Sequence, residues 1–355
     1  MTVPVPEASV LHDGHPTPAP GAHRPRTLLA MGASIHAQLL AEGALDRLAG
    51  VATVDTGRFL SDFADADPAA LADAEVLFTH WGAPRLTAEA VRAMPRLRAV
   101  IHAAGSVKHH VTEAVWERGI AVSTAAGANA LPVAEFTVAA ILFTGKRILD
   151  SAEAYREARD QVPLLPYFTG HGNYRRTVGI VGASRIGRRV LHLLRPFDFE
   201  VLLYDPYVEA DEAETLGARS VGLDELVRRS GVVSIHAPQL PETRHMFDRR
   251  RLALLRDGAT LVNTARGSLV DTEALTEELR TGRIHAVLDV TEPEVLPAGS
   301  PLYTLPNVLL TPHIAGSLGN ELVRMAHWAT DEVRRYAEGL PLAHAVGPDE
   351  LARSA

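Results

Sequence analysis

Apolar residues in this chain arrive in short runs, separated by polar turns and by stretches with helical spacing. In the first third the runs are Thr27–Met31, Glu75–Phe78, Arg98–His102 and Ile120–Ser123, with helix-like stretches around Ile35–Leu40, Ala88–Met94 and Thr112–Arg118 between them. Such alternation predicts parallel strands joined by crossover helices. A long apolar helix follows, running through Ala134, Val138, Ile141 and Leu142. Pro132 is expected as its first residue, where a missing N–H leaves no bond unmade. A second alternating set places strands at Val178–Val181, Val201–Tyr204, Val232–His236, Thr260–Asn263, His285–Val290 and Val308–Leu310. From Gly316 to Glu338, Leu322, Met325, Ala329, Val333 and Tyr336 predict one more long helix. The expected fold class is α/β, with two doubly wound parallel-sheet domains. One is 26–125 completed by 315–355, and the other, 126–314, is inserted in it.

Composition narrows the function classes. At 355 residues, 46% of them hydrophobic and 22% charged, the chain has room for two ordinary globular cores. It has no cysteine, which excludes disulfides, thiolate metal sites and a cysteine nucleophile. A net charge of -8 argues against a nucleic-acid partner. No apolar run approaches the roughly 18 residues of a membrane span, and the start lacks the pattern of a secretory signal. A cytoplasmic protein is expected. Residues 1–25 hold Pro4, Pro6, Pro16, Pro18, Pro20 and Pro25 with His12, His15 and His23. They predict a disordered Pro-rich tail, and no metal site is expected from its histidines.

The first candidate chemistry opens the second alternating set. Gly182-Ala-Ser-Arg-Ile-Gly187 follows a strand and begins a helix. In a dinucleotide fingerprint three glycines allow a tight turn, close approach of pyrophosphate, and helix–strand packing. Here the middle glycine is Ser184, whose hydroxyl is able to donate to a phosphate oxygen. Arg185 and Ile186 start the helix, whose free N–H groups suit the pyrophosphate. Asp205 follows Gly182 by 23 residues, at the end of the next strand. A carboxylate there accepts from a ribose diol and repels a 2′-phosphate, favouring NAD over NADP.

Four further motifs follow in order. They are Ser234-Ile-His-Ala-Pro-Gln-Leu-Pro-Glu-Thr-Arg244, Val262-Asn-Thr-Ala-Arg-Gly-Ser-Leu-Val-Asp271, Leu288-Asp-Val-Thr-Glu-Pro-Glu294 and Asn307-Val-Leu-Leu-Thr-Pro-His-Ile-Ala-Gly316. With them the sequence resembles the D-isomer-specific, NAD-dependent 2-hydroxyacid dehydrogenases over about residues 75–340. The resemblance implies a Rossmann-type cofactor domain inserted in a flavodoxin-like substrate domain, NAD as cofactor and a small anionic substrate. It places His236, Ala237, Pro238 and Thr243 beside the nicotinamide ribose. Thr264, Ala265, Arg266, Asp289, His313, Ala315 and Gly316 complete the cofactor set, with Asp289 near the nicotinamide or, alternatively, a strand-terminal turn residue. His313 is the implied acid/base, a role that needs a group working in both directions near neutral pH. The implied partner of its imidazole is Glu294, which would fix the ring's tautomer. The family's glutamate lies five positions after the motif aspartate, which selects Glu294 over Glu292, although Val295 stands where the family usually has proline. Arg266 is the implied substrate clamp, through a planar fork that lysine lacks.

The substrate side departs from the family. His102-Ala-Ala-Gly-Ser-Val-Lys-His-His110 occupies the place of its carboxylate-binding loop, and Ser106, Val107, Lys108 and His109 replace the usual Gly-Val-Asp-Asn. Backbone N–H groups at Gly105 and Ser106 are expected to hold the anion. Lys108, His109 and His110 add basic character that suits a more highly charged substrate, and Trp81 is a candidate pocket wall. The expected reaction interconverts a 2-hydroxy acid and a 2-oxo acid. Alternatives are a dehydrogenase of a phosphonate or phosphorus oxyanion, and a non-catalytic NAD-sensing protein of the corepressor kind. A formate enzyme is disfavoured because the family's formate members carry glutamine where Glu294 stands. The short stretch after the last helix argues against an appended regulatory domain. The resemblance also implies a homodimer through the cofactor domain, with the apolar Val133–Leu149 at the interface.

Overall fold

The structure, a computed structural model, describes residues 23–163 and 170–353; the expected tail up to residue 22, with His12 and His15, lies outside them. Residues 23–25 of that tail are pinned instead. His23 Nε2 lies 3.0 Å from the Glu75 carboxylate, Arg24 donates to the Ala49 and Ala52 carbonyls, and Thr53 N–H donates to Pro25 O. The described chain forms two compact units. The first holds residues up to Thr124 with Ala326–Ala345, and the second Ala125–Met325 with the residues from Val346.

The first unit has strands β1 (Thr27–Ala30), β2 (Val76–Thr79), β3 (Ala99–His102) and β4 (Ala121–Thr124), all parallel and in that order. β2 and β3 are buried at every position, which is why they read as unbroken apolar runs. A fifth strand-like segment was not legible. Residues around Thr53 and Leu60 run beside β1 through the parallel bridges Arg26↔Thr53 and Ala30↔Leu60. Its polar Asp55-Thr-Gly57 carries no strand signal. The chain thus builds on one side of β1 and then the other, the doubly wound pattern.

The second unit has β5 (Thr177–Val181), β6 (Glu200–Tyr204), β7 (Arg219–Ser220), β8 (Val232–Ile235), β9 (Thr260–Asn263), β10 (His285–Leu288) and β11 (Val308–Leu310). Their order is β11-β10-β9-β8-β5-β6-β7, all parallel. Six strands were expected; β7, only two residues long, is the seventh. Residues alternate between the sheet's two faces: Val178, Ile180 and Val232 join one core, and Val181, Val233 and Ile235 the other. Strand order reverses at β5, and in such sheets ligands bind at the carboxyl ends flanking the reversal.

Two helix expectations need correction. The long helix runs Ala126–Gly145, so Pro132 lies inside it rather than at its start. An interior proline forfeits one backbone bond; here the ring is buried with Ala128, Ala130 and Ala134, and that packing offsets the loss. This helix is also long and apolar enough to cross a bilayer, but half of the relevant window is buried inside the structure, where it packs on the Arg185–Leu194 helix. The last long helix starts at Glu321, not Gly316. Residues 316–320 are held in turns, with Ser317 N–H bonded to Asn129 Oδ1 and Gly319 at φ 56°.

Candidate active site

At the carboxyl end of β5 the glycine turn is sterically closed. Gly182 has φ 97°, and a Cβ there would lie 2.7 Å from Ala237 N; one on Gly187 would lie 2.0 Å from Gly182 O. Ser184 has φ -61° and caps the Arg185–Leu194 helix, accepting from Gly187 N–H at 3.3 Å. That backbone suits any residue, so serine replaces glycine without strain, and its O–H proton is left to donate. Asp205 Oδ2 accepts from Ala183 N–H at 2.7 Å and Oδ1 from Tyr207 N–H at 2.8 Å, leaving each oxygen a second lone pair for a ribose hydroxyl. This cradle fits a dinucleotide. His236 lies beneath it: the ring is buried, bonded to Ser234 Oγ at 2.9 Å, and burial pushes its pKa down to about 3. It packs the turn as a neutral ring. Thr243 spends its hydroxyl within its own loop, donating to Pro238 O at 2.7 Å and accepting from Leu240 N–H.

At the ends of β9, β10 and β11 three chemical groups gather. His313 Nδ1 lies 2.5 Å from Glu294 Oε1. Both side chains are about half exposed, 51% and 58%, and so are open to a ligand. Arg266 is largely buried; desolvation pulls its guanidinium below the usual arginine value, and the nearby Glu294 charge opposes that shift. Glu292 points elsewhere. Its carboxylate takes Arg244 at 2.7 Å and His245 at 3.3 Å, and the Arg244 hydrogen bond holds it below the usual carboxylate range. Among the described residues no group of three His, Asp or Glu side chains is placed to hold a metal.

Asp289 explains how His313 is presented. It is buried, and its carboxylate accepts from Thr311 Oγ1 at 2.6 Å, Ile314 N–H at 2.8 Å and Ala315 N–H at 2.9 Å. Its carbonyl accepts from His313 N–H at 3.0 Å. These bonds wrap the loop so that His313 takes φ 57°, a left-handed conformation that costs a non-glycine residue about 1–2 kcal/mol. Asp289 is thus built into the loop. Asp289→Asn presents an amide N–H to backbone donors and is expected to lower kcat by about 100-fold. NADH affinity should change by less than about threefold. Stopped-flow turnover and fluorescence titration check both numbers.

Residues 138–315 match the family profile described as "D-isomer specific 2-hydroxyacid dehydrogenase, NAD binding domain". The chain belongs to this family. Among curated members of it or near it, a glyoxylate reductase of Thermofilum pendens is 38% identical over 69% of this chain and 73% of its own length. A D-3-phosphoglycerate dehydrogenase of Methanocaldococcus jannaschii is 34% identical over 69% of this chain and 46% of its own. The chain therefore spans about half the length of the phosphoglycerate dehydrogenases it matches first. Among solved structures, a protein of Thermus thermophilus superposes with TM-score 0.70 at 31% identity, over 90% of this chain and 99% of that one. The Aquifex aeolicus D-lactate dehydrogenase complexed with NAD and lactic acid gives 0.67 at 27%, over 88% and 96%. In the family's terms the second unit is the NAD-binding domain, and NAD is the cofactor.

One residue of the family site escaped the sequence reading. A Cβ on Gly267 would fall 2.0 Å from the Thr291 carbonyl carbon and 2.1 Å from its oxygen. The loop bearing Arg266 and the loop bearing Glu294 touch backbone to backbone at this point, which is how arginine and acid come together. Gly267→Ala should push the acidic loop away, costing about 3 kcal/mol of stability and about 100-fold in kcat. NADH binding is expected to persist, so a melting curve paired with a cofactor titration separates misplacement from unfolding. In the first unit, Trp81 is half-buried two residues beyond β2, Gly105 and Ser106 are half-buried just beyond β3, and Lys108 is exposed. His110, expected among the loop's basic groups, is instead buried.

Proposed function

We propose that this protein is an NAD-dependent oxidoreductase interconverting a small 2-hydroxy acid and its 2-oxo acid. The observation that carries this reading is the 2.5 Å pair of His313 and Glu294 with the Arg266 guanidinium close by. When bound, NAD supplies the hydride acceptor, and NADH the donor. The chain's own residues handle the charge and the proton. Glu294 accepts from His313 Nδ1–H, which fixes the tautomer and leaves Nε2 to take the hydroxyl proton in oxidation and return it in reduction. Arg266 grips the substrate carboxylate; its partial burial strengthens that grip, because a desolvated guanidinium gains more from an anion than a solvated one. A homodimer is part of the reading. The Ile148–Ala158 helix buries none of its residues. Ile148, Leu149 and Tyr155 on it, and Phe143 before it, stay exposed, an apolar surface suited to a second copy.

The test is a substrate panel with NADH and NAD, followed at the nicotinamide absorbance. Turnover of at least one 2-oxo or 2-hydroxy acid is expected. Turnover confined to phosphite or hydroxyphosphonates would replace the substrate class. Tight NADH binding with no turnover across the panel would overturn the enzymatic reading.

A further inference from the structure

Three histidines from different parts of the sequence meet inside the first unit at the carboxyl ends of β2 and β3. His80, His102 and His110 are all buried, as is Thr79 among them. Thr79 Oγ1 lies 2.8 Å from His102 Nδ1 and 3.3 Å from His110 Nε2. The His102 and His110 rings are 4.5 Å apart. His80 stands aside, its Nδ1 accepting from Trp81 N–H at 2.8 Å. Burial lowers the pKa of all three, to about 3 for His80 and about 4 for His110, and well below the ordinary value for His102. All three rings are neutral near pH 7.

Neutral rings and a single hydroxyl proton leave one consistent pattern. The Ser106 carbonyl is the backbone acceptor acting on His102. Nδ1 is already against Thr79, so the nitrogen facing Ser106 is Nε2, which has no other partner among the described residues. His102 therefore carries its proton on Nε2 and its lone pair on Nδ1. Thr79 must donate to that lone pair, and must then accept from His110 Nε2–H. The chain has one direction, from His110 through Thr79 and His102 to the Ser106 carbonyl. In a trans peptide the C=O and the following N–H point opposite ways, and no cis bond occurs here. The Val107 N–H is thereby turned away from the imidazoles.

We propose that His102 is a positioning residue whose hydrogen-bond chain fixes the Ser106–Val107 peptide, so that the Val107 N–H joins Gly105 and Ser106 in holding the substrate carboxylate. This rests on the functional reading above, in which the turn receives the substrate anion. The clean probe is Thr79, because valine matches its shape without the hydroxyl and serine keeps the hydroxyl. Thr79→Val is expected to raise KM for the active 2-oxo acid about tenfold, the loss of one directed hydrogen bond. kcat should stay within about twofold and NADH affinity should not move, while Thr79→Ser behaves as the unmodified protein. A purely structural role would lower the melting temperature and the active fraction and leave KM alone; an unchanged KM, or one raised equally by serine, overturns the proposal. Should Thr79→Val not fold, His110→Gln at the outer end of the chain carries the same test: a raised KM supports the proposal and an unchanged one overturns it. If the unmodified protein turns over no hydroxy or oxo acid, the functional reading has failed separately, and oxalate binding by calorimetry decides. About tenfold weaker oxalate binding in Thr79→Val supports the proposal; equal affinity, or no oxalate binding by the unmodified protein, overturns it.

Discussion

Replacing His313 with alanine is expected to lower kcat by about 1,000-fold while NADH affinity stays within about threefold of the original. The separation follows from where the groups sit. The glycine turn and Asp205 close the ends of β5 and β6, whereas His313 follows β11 on a loop tied to Asp289. Alanine tolerates φ 57° no better and no worse than histidine, so the loop should keep its form through its bonds to Asp289. Only the proton carrier is lost. Glu294→Gln should be milder, about 10–100-fold, because an amide oxygen still accepts from Nδ1–H but no longer stabilises a charged ring. Arg266→Lys tests the third member: a point charge without the fork should act mainly through KM. Steady-state kinetics of the three variants on one substrate check the pattern. Activity of His313→Ala within about tenfold of the unmodified enzyme would remove histidine from the chemistry.

The strands were legible because most of them are buried on both faces, and a doubly buried strand must be apolar at nearly every position. The segment at Thr53–Leu60 and the two-residue β7 escaped for the converse reason: each pairs by backbone bonds while its side chains stay polar. Pro132 misled because local preference favours a helix start, whereas the buried ring and its alanine neighbours reward continuing the helix. Asp205, Arg266, Glu294 and His313 were legible because strand ends place them and their motifs keep a fixed spacing. What stayed hidden is steric or many-bodied. Nothing in Asn263-Thr-Ala-Arg-Gly267 announces that the Thr291 backbone lies against the glycine. Nor does His102-Ala-Ala-Gly-Ser-Val-Lys-His-His110 say which histidines face inward. His102 and His110 turn in to a threonine 23 and 31 residues away, so the loop's basic look in sequence overstates its charge.

The same three histidines give the first unit an acid-labile core. In the unfolded chain each titrates near its ordinary value of 6.5, whereas folding holds His80 neutral down to about 3 and His110 down to about 4, with His102 shifted in the same direction. Between those limits the unfolded state binds more protons than the folded one, so stability rises with pH through the window and is fully retained above about 6.5. At pH 4.5 the loss is about 2–3 kcal/mol for each histidine still neutral when folded. Two of them already approach the total stability of an ordinary domain. The protein carries its own reporter. Its three tryptophans, Trp81, Trp116 and Trp328, all belong to the first unit, so tryptophan fluorescence follows that unit alone, while NADH binding follows the second. Urea titrations should show the tryptophan midpoint falling steeply from pH 7.5 to 4.5. His236, pushed down to about 3 by burial in the second unit, contributes a single such site there, so cofactor binding should survive to lower pH. His110→Gln removes one titrating site and should flatten the tryptophan slope accordingly. A midpoint that does not move across this range would mean the buried rings are already charged, or already solvated, in the folded protein.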